Sequence, residues 1–226
     1  ITTGLGLELL RTDDLDEIDD SGSQDYLIGS LPTTLTYDGR DDIFNPTEGL
    51  FAVFTATPAL ATLARTTPYL LTDLSASTYW APFDDDSVVL AARGRVAAIL
   101  GSGGVEAIPA SKRLYAGGGG SVRGYDVDSL GPLDSDDDPI GGRALFEASL
   151  EARFRVYEDY GFVAFLDAGQ VSADPYPTFT EPQFAAGVGL RYFTSLGPVR
   201  LDVATPLNAR DGDAAVQFYV SIGQSF

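Results

Sequence analysis

Arg143-Ala-Leu-Phe-Glu-Ala-Ser-Leu-Glu-Ala-Arg-Phe-Arg-Val156 alternates from end to end. Its even positions, Ala144, Phe146, Ala148, Leu150, Ala152, Phe154 and Val156, are all apolar, while the odd ones include Arg143, Glu147, Ser149, Glu151, Arg153 and Arg155. Successive side chains of an extended strand point to opposite faces, so the segment predicts a strand with one apolar and one charged face.

The same period runs outward in both directions. Downstream lie Gly161–Gln170, Gln183–Phe193, Val199–Ala204 and Ala214–Phe226, the last with Val216, Phe218, Val220, Ile222 and Phe226 in step. Upstream lie Ile1–Thr12, Asp25–Asp38, Leu50–Pro58, Tyr69–Phe83 and Val88–Leu100, where Arg93 and Arg95 share a face. Pro32 falls inside the second of these and cannot donate to a ladder. About ten strands and no helical period are predicted.

The connections alternate in length: tight at Asp84–Ser87, Tyr157–Tyr160 and Ser195–Pro198, long after the first strand, at Gly101–Gly142 and at Ser172–Pro182. Short turns on one rim, long loops on the other and alternating strands predict an all-β fold, an antiparallel transmembrane β-barrel of the outer membrane. A soluble sandwich or lipocalin-like barrel alternates too, with its charged face in water. The apolar faces here carry almost no charge and the opposite faces carry paired arginines and carboxylates, which favours the membrane barrel.

Composition narrows the chemistry. The 226 residues include no Cys and no His, which removes disulfides, thiolates, imidazole bases and the usual zinc ligands. No catalytic residue, metal or cofactor is predicted. The net charge of −19 argues against nucleic acid as a partner. Much of the acid is local, at Asp13–Asp20, Asp84–Asp86 and Asp134–Asp138, as solvated loops are. No apolar run of roughly 18 residues exists, so no transmembrane helix or secretory core is predicted. A start at Ile1 and the absence of Met suggest a mature or truncated piece of a longer protein.

The long loop holds Arg113-Leu-Tyr-Ala-Gly-Gly-Gly-Gly-Ser-Val-Arg-Gly-Tyr125, glycine-rich but not of low complexity. A structured loop of this length between strands suggests a function. With Val122-Arg-Gly-Tyr125 the chain resembles the BamA/TamA superfamily of outer-membrane assembly and translocation barrels, and its TamA-like branch in particular. Further motifs carry the resemblance: Gly141-Gly142, Ser149-Leu-Glu151, Phe165-Leu-Asp-Ala-Gly169, Gly197-Pro-Val-Arg-Leu-Asp202, Phe218-Tyr-Val-Ser-Ile-Gly-Gln-Ser-Phe226, and the turn Asp38–Gly49. They follow in the family's order over nearly the whole chain.

The resemblance implies that residues 1–226 are the C-terminal part of a sixteen-strand barrel, with a long inserted loop at 101–142 and the family's periplasmic POTRA domains missing from this sequence. It implies an assembly or translocation factor in the bacterial outer membrane. Its partners would be outer-membrane lipids, client outer-membrane proteins or autotransporters, and a TamB-like periplasmic protein reached through POTRA domains. It assigns Val122, Arg123, Gly124 and Tyr125 to the loop tip and Glu151 and Asp167 to the wall that holds it. The chemistry agrees: a guanidinium fork matches carboxylates, and a protein-lined lumen screens less than water. Phe218, Val220, Ile222, Gly223 and Phe226 would form the terminal strand and seam, where Gly223 either permits a bend or merely avoids crowding in the lumen. A passive pore with a charged lumen is the alternative. An enzyme is disfavoured, and nothing sets two carboxylates beside a sugar platform.

Overall fold

The computed structural model describes residues 2–4, 6–12, 24–62, 66–101, 103–195 and 197–226. The acidic run Asp13–Asp20 lies outside them, as do Ile1 and Leu5. One antiparallel sheet contains β1 (Thr2–Thr3), β2 (Gly6–Thr12), β3 (Gln24–Ser30), β4 (Thr33–Asp38), β5 (Gly49–Thr62), β6 (Thr66–Trp80), β7 (Val88–Gly101), β8 (Ala144–Arg155), β9 (Tyr160–Ser172), β10 (Gln183–Thr194), β11 (Gly197–Pro206) and β12 (Gln217–Ile222). From β5 to β12 every strand pairs with its sequence neighbour.

The first four strands are two lines of chain, each interrupted once, so the sheet has the ten lines that the alternation predicts. Thr3 pairs with Thr33 and Gly6 with Ser30 in one unbroken register, and between them the Gly4 N–H donates to the Pro32 carbonyl at 2.9 Å. The interruption falls at Leu31–Pro32 because Pro32 has no N–H to give. Opposite it stands Pro58, whose carbonyl accepts from the Leu31 N–H at 3.0 Å. In an antiparallel ladder a residue's N and O face the same neighbour, so the donor that Pro58 lacks also faces the interruption. The sequence reading ended one strand at Pro58 and began the next at Tyr69. Instead β5 continues to Thr62 and β6 starts at Thr66, with Pro68 just past the last β6–β7 pair, Tyr69 with Gly101.

Which face is inside is decided by two adjacent residues: Leu150 is 59% exposed and Glu151 3%. The pattern holds throughout, with Leu74, Leu166, Val188, Leu190 and Phe218 outward and Glu147, Asp167, Arg191 and Asp202 buried. A soluble barrel has the reverse arrangement. An apolar exterior around a charged, paired interior is stable where the surrounding solvent is hydrocarbon. Strands β5–β11 have 10 to 15 residues, and roughly 9–11 suffice to cross a bilayer core. Exposed Trp80, Phe83, Tyr157, Tyr160 and Tyr192 gather by the short turns as an aromatic girdle at one membrane interface, and the shortness of those turns marks that rim as the periplasmic one.

The concave face is filled by the segment between β7 and β8. Ile108, Leu114, Ala116, Val122, Tyr125 and Leu130 from this loop pack on Ala97, Ile99, Leu145, Val171 and Ala185 of the wall. The apolar core is therefore the contact between loop and wall. Among the described residues β12 pairs only with β11, so the sheet is open along that edge.

Candidate functional site: a luminal latch and the C-terminal tail

The loop reaches the wall through Arg123, which is 2% exposed. Its Nε and Nη2 donate to the two Asp167 oxygens at 2.7 and 2.9 Å, and its backbone N–H donates to Asp167 Oδ2 at 3.1 Å. Nη1 donates to Glu151 Oε1 at 2.7 Å and lies 3.5 Å from Asp202 Oδ2. Nη2 also donates to Ser149 Oγ at 3.2 Å, and Ser149 in turn donates to Asp167 at 2.6 Å. The guanidinium carbon stands 3.4 Å from the centre of the Phe165 ring, so one face is stacked while the fork is spent on carboxylates. The alternation of β8 and β9 delivers these groups: Ser149 and Glu151 share a face of β8, and Asp167 pairs across to Ser149.

The neighbours of Arg123 seat the rest of the tip. Val122 and Tyr125 are buried in the loop–wall core. The Tyr125 hydroxyl donates to the Phe184 carbonyl at 3.0 Å. Gly124 has φ +100°, and a Cβ there would lie 2.8 Å from Ala185 Cβ and 3.2 Å from the Thr205 carbonyl carbon. Both the dihedral and the closeness of the wall require glycine. The Gly124 N–H donates to the Tyr219 hydroxyl at 2.9 Å, and that hydroxyl donates to the Tyr125 carbonyl at 3.0 Å, which joins the tip to β12.

The terminal residues differ from the strand reading. Phe218, Val220 and Ile222 face outward as the period predicts, but Phe226 does not share their face. Strand β12 stops at Ile222, and Gly223 at φ +94° turns the chain into the lumen. Nothing lies within 4 Å of a Cβ built on Gly223, so its role is conformational and crowding is not the reason for it. Beyond the bend, Ser225 Oγ accepts from Arg123 Nη1 at 3.2 Å and donates to Glu151 Oε1 at 2.5 Å. Phe226 packs beside Tyr79, ring centres 6.3 Å apart, and its carbonyl accepts from Arg153 Nη2 at 3.1 Å. Gln224 donates to Asn45 Oδ1 at 2.8 Å and accepts from Arg191 Nε at 3.3 Å.

Asn45 belongs to the turn between β4 and β5. There Asp42 accepts from the Phe44 and Asn45 N–H groups, and Asp41 from the N–H groups of Thr47 and Glu48 and from the Thr47 hydroxyl. Burial alone would raise the Asp41 pKa, but these donors outweigh it and hold the group below the ordinary carboxylate value.

Sequence reasoning named Arg123, Glu151 and Asp167 but missed Ser149, Phe165, Asp202, Tyr219 and Ser225 as their partners. The first three stand on the same inward parity as the residues it did name. Ser225 shares the inward parity of Tyr219 on β12, but it lies beyond the end of the strand and the bend at Gly223, so its meeting with Arg123 could not be read from the alternation.

A model of the Omp85 superfamily domain matches residues 7–226. The chain belongs to the Omp85 superfamily. Among curated relatives, it is 32% identical to the outer membrane protein assembly factor BamA of Nitratidesulfovibrio vulgaris over 61% of this chain and 18% of that protein. It is 29% identical to BamA of Neisseria meningitidis serogroup B, over 59% of this chain and 21% of the relative. A SAM50-like protein of Schizosaccharomyces pombe is 28% identical over 84% of this chain and 42% of its own length. The chain thus spans between about a fifth and two fifths of the length of these relatives. The crystal structure of BamA from Haemophilus ducreyi lacking POTRA domains 1–3 superposes with a TM-score of 0.73 at 22% identity, over 87% of this chain and 42% of that one. This Omp85 chain is an antiparallel barrel sheet of the bacterial outer membrane.

Proposed function

We propose that the chain is part of an outer-membrane protein assembly factor that receives client strands at the free edge of β12, without covalent chemistry. One observation carries the reading. Arg123 grips the wall at Glu151 and Asp167 and the tail at Ser225, so the loop and the strand bordering the open edge form one hydrogen-bonded unit. An unpaired edge offers backbone donors and acceptors to an incoming strand, and the outward Phe218, Val220 and Ile222 would pack beside it in the bilayer.

The assembly-factor names of the BamA relatives support this reading. The TamA-like branch, with autotransporter clients and a TamB-like partner acting through POTRA domains, rests on the motif resemblance. A photo-crosslinker at Val220 of the full-length protein, tested during assembly of client barrels, is expected to capture client strands. The same probe at the outward Leu150, in mid-sheet, is expected to capture none. Equal capture at both positions would sink the proposal, and mass spectrometry of the adducts would separate autotransporters from other clients.

A passive pore fits less well. Arg93 donates to the Gly120 carbonyl at 2.8 Å and Arg200 to the Gly119 carbonyl at 3.2 Å, so the loop crosses the charged face that would conduct ions. A large, ungated single-channel conductance would reverse that preference.

A further inference from the structure

The luminal charge is not fully used by the latch. At the short-turn rim, away from the loop tip, lies a small cavity lined by Asn45, Arg153, Arg155, Arg191, Phe193 and Gln224, among others. The centre of a water-sized group has about 30 Å³ in it, room for one compact ion and too little for a sugar or a peptide side chain.

Its arginines have donors to spare. Arg153 and Arg191 are 6% and 2% exposed, yet Arg153 Nη1 and Arg191 Nη2 have no hydrogen-bond partner. Their remaining donors are taken: Arg153 Nε by Glu151 at 2.9 Å and Nη2 by the Phe226 carbonyl, Arg191 by Asp202, Gln224 and the Leu190 carbonyl. Arg155 has no carboxylate partner among the described residues, and its guanidinium lies 4.3 Å from the centre of the Phe193 ring. The acidic residue of the lining is Asp86, which is exposed in the turn after β6.

Buried guanidinium N–H groups without acceptors are costly, and one anion lessens that cost for all of them. Guanidinium forks also match the oxygen spacing of phosphate. We propose that this cavity binds a single phosphate group at the periplasmic rim, held by Arg153, Arg155 and Arg191. The alternation places all three there. Arg153 and Arg155 are inward neighbours on β8, and Gly161 of β9 pairs with both Arg155 and Arg191, so no side chain separates the two. Phosphate here means either the free ion or a lipid headgroup.

The test is equilibrium dialysis of the full-length protein in detergent against radiolabelled inorganic phosphate, at constant ionic strength in chloride. One saturable site is expected, weakened at least tenfold in both Arg155→Gln and Arg191→Gln. Folding of each variant is checked by heat-modifiable gel mobility. Competition by short-chain phosphatidic acid would assign the site to a headgroup, and its failure to compete would assign it to the free ion. No saturable binding, equal competition by acetate, or unchanged affinity in Arg155→Gln would overturn the proposal. If Arg191→Gln does not fold, Arg155→Gln decides alone, because its side chain makes no ion pair that folding needs.

Discussion

Replacing Arg123 by methionine keeps an apolar stem while removing the guanidinium that Glu151, Asp167 and Asp202 share. The losses are unequal. Glu151 keeps Arg153 at 2.9 Å and Ser225 at 2.5 Å. Asp167, whose side chain is 0% exposed, keeps only the Ser149 hydroxyl and the backbone N–H of residue 123. Stranding one partner of a buried pair costs about 3–5 kcal/mol. Residue 123 sits on a loop, so release of the tip to water relieves that cost at once. The loop should therefore open before the sheet does.

The assay is hydrogen–deuterium exchange in detergent, followed at the amides of residues 123 and 124, which donate to Asp167 and to the Tyr219 hydroxyl. At about 1.4 kcal/mol per tenfold, their exchange should quicken by roughly 10²-fold to nearly 10⁴-fold, while amides in the middle of β8 and β9 stay protected. Adding Asp167→Asn should recover part of the loss, with a coupling on the order of 2 kcal/mol, because no stranded carboxylate is then left. Unchanged exchange in Arg123→Met, or a double variant as costly as the sum of its parts, would refute the reasoning.

Three further outcomes follow from the same geometry. Gly223→Ala should cost about 1–2 kcal/mol for the left-handed backbone alone, since its Cβ meets nothing, and should speed exchange of the residue 223 amide, which donates to the Pro198 carbonyl at 2.7 Å; unchanged protection of that amide would contradict the bend. Gly124→Ala meets Ala185 as well as the dihedral penalty, so urea titration should show a loss about 1–3 kcal/mol larger than for Gly223→Ala. Because the folded Asp41 carboxyl lies below its ordinary value, its stabilisation of the turn is complete above about pH 4 and is lost as pH falls through the lowered value. NMR shifts of the Thr47 and Glu48 amides should report that acid transition and lose it in Asp41→Asn; a transition centred above pH 4, or one retained in the variant, would exclude this role.

The order of residues alone determines the strands, because a period of two repeated along the chain admits no other regular backbone. It also determines that each strand has one apolar and one charged face, and the motif around Arg123 brings Glu151 and Asp167 into view as matched charges. Only tertiary structure decided which face is inside: Leu150 and Glu151 would alternate identically in a soluble barrel, and the sign comes from the face on which the loop packs. Tertiary structure likewise carried β5 on past Pro58 and admitted Pro68 to β6, since a missing N–H matters only where a neighbour waits to receive it. And it took Phe226 from the outer face to the lumen, because one positive φ at Gly223 ends the alternation and lets Ser225 meet an arginine 102 positions earlier in the chain. Local period is written in neighbouring residues, whereas the choice of faces and the meeting of distant side chains arise only from the path of the whole sheet.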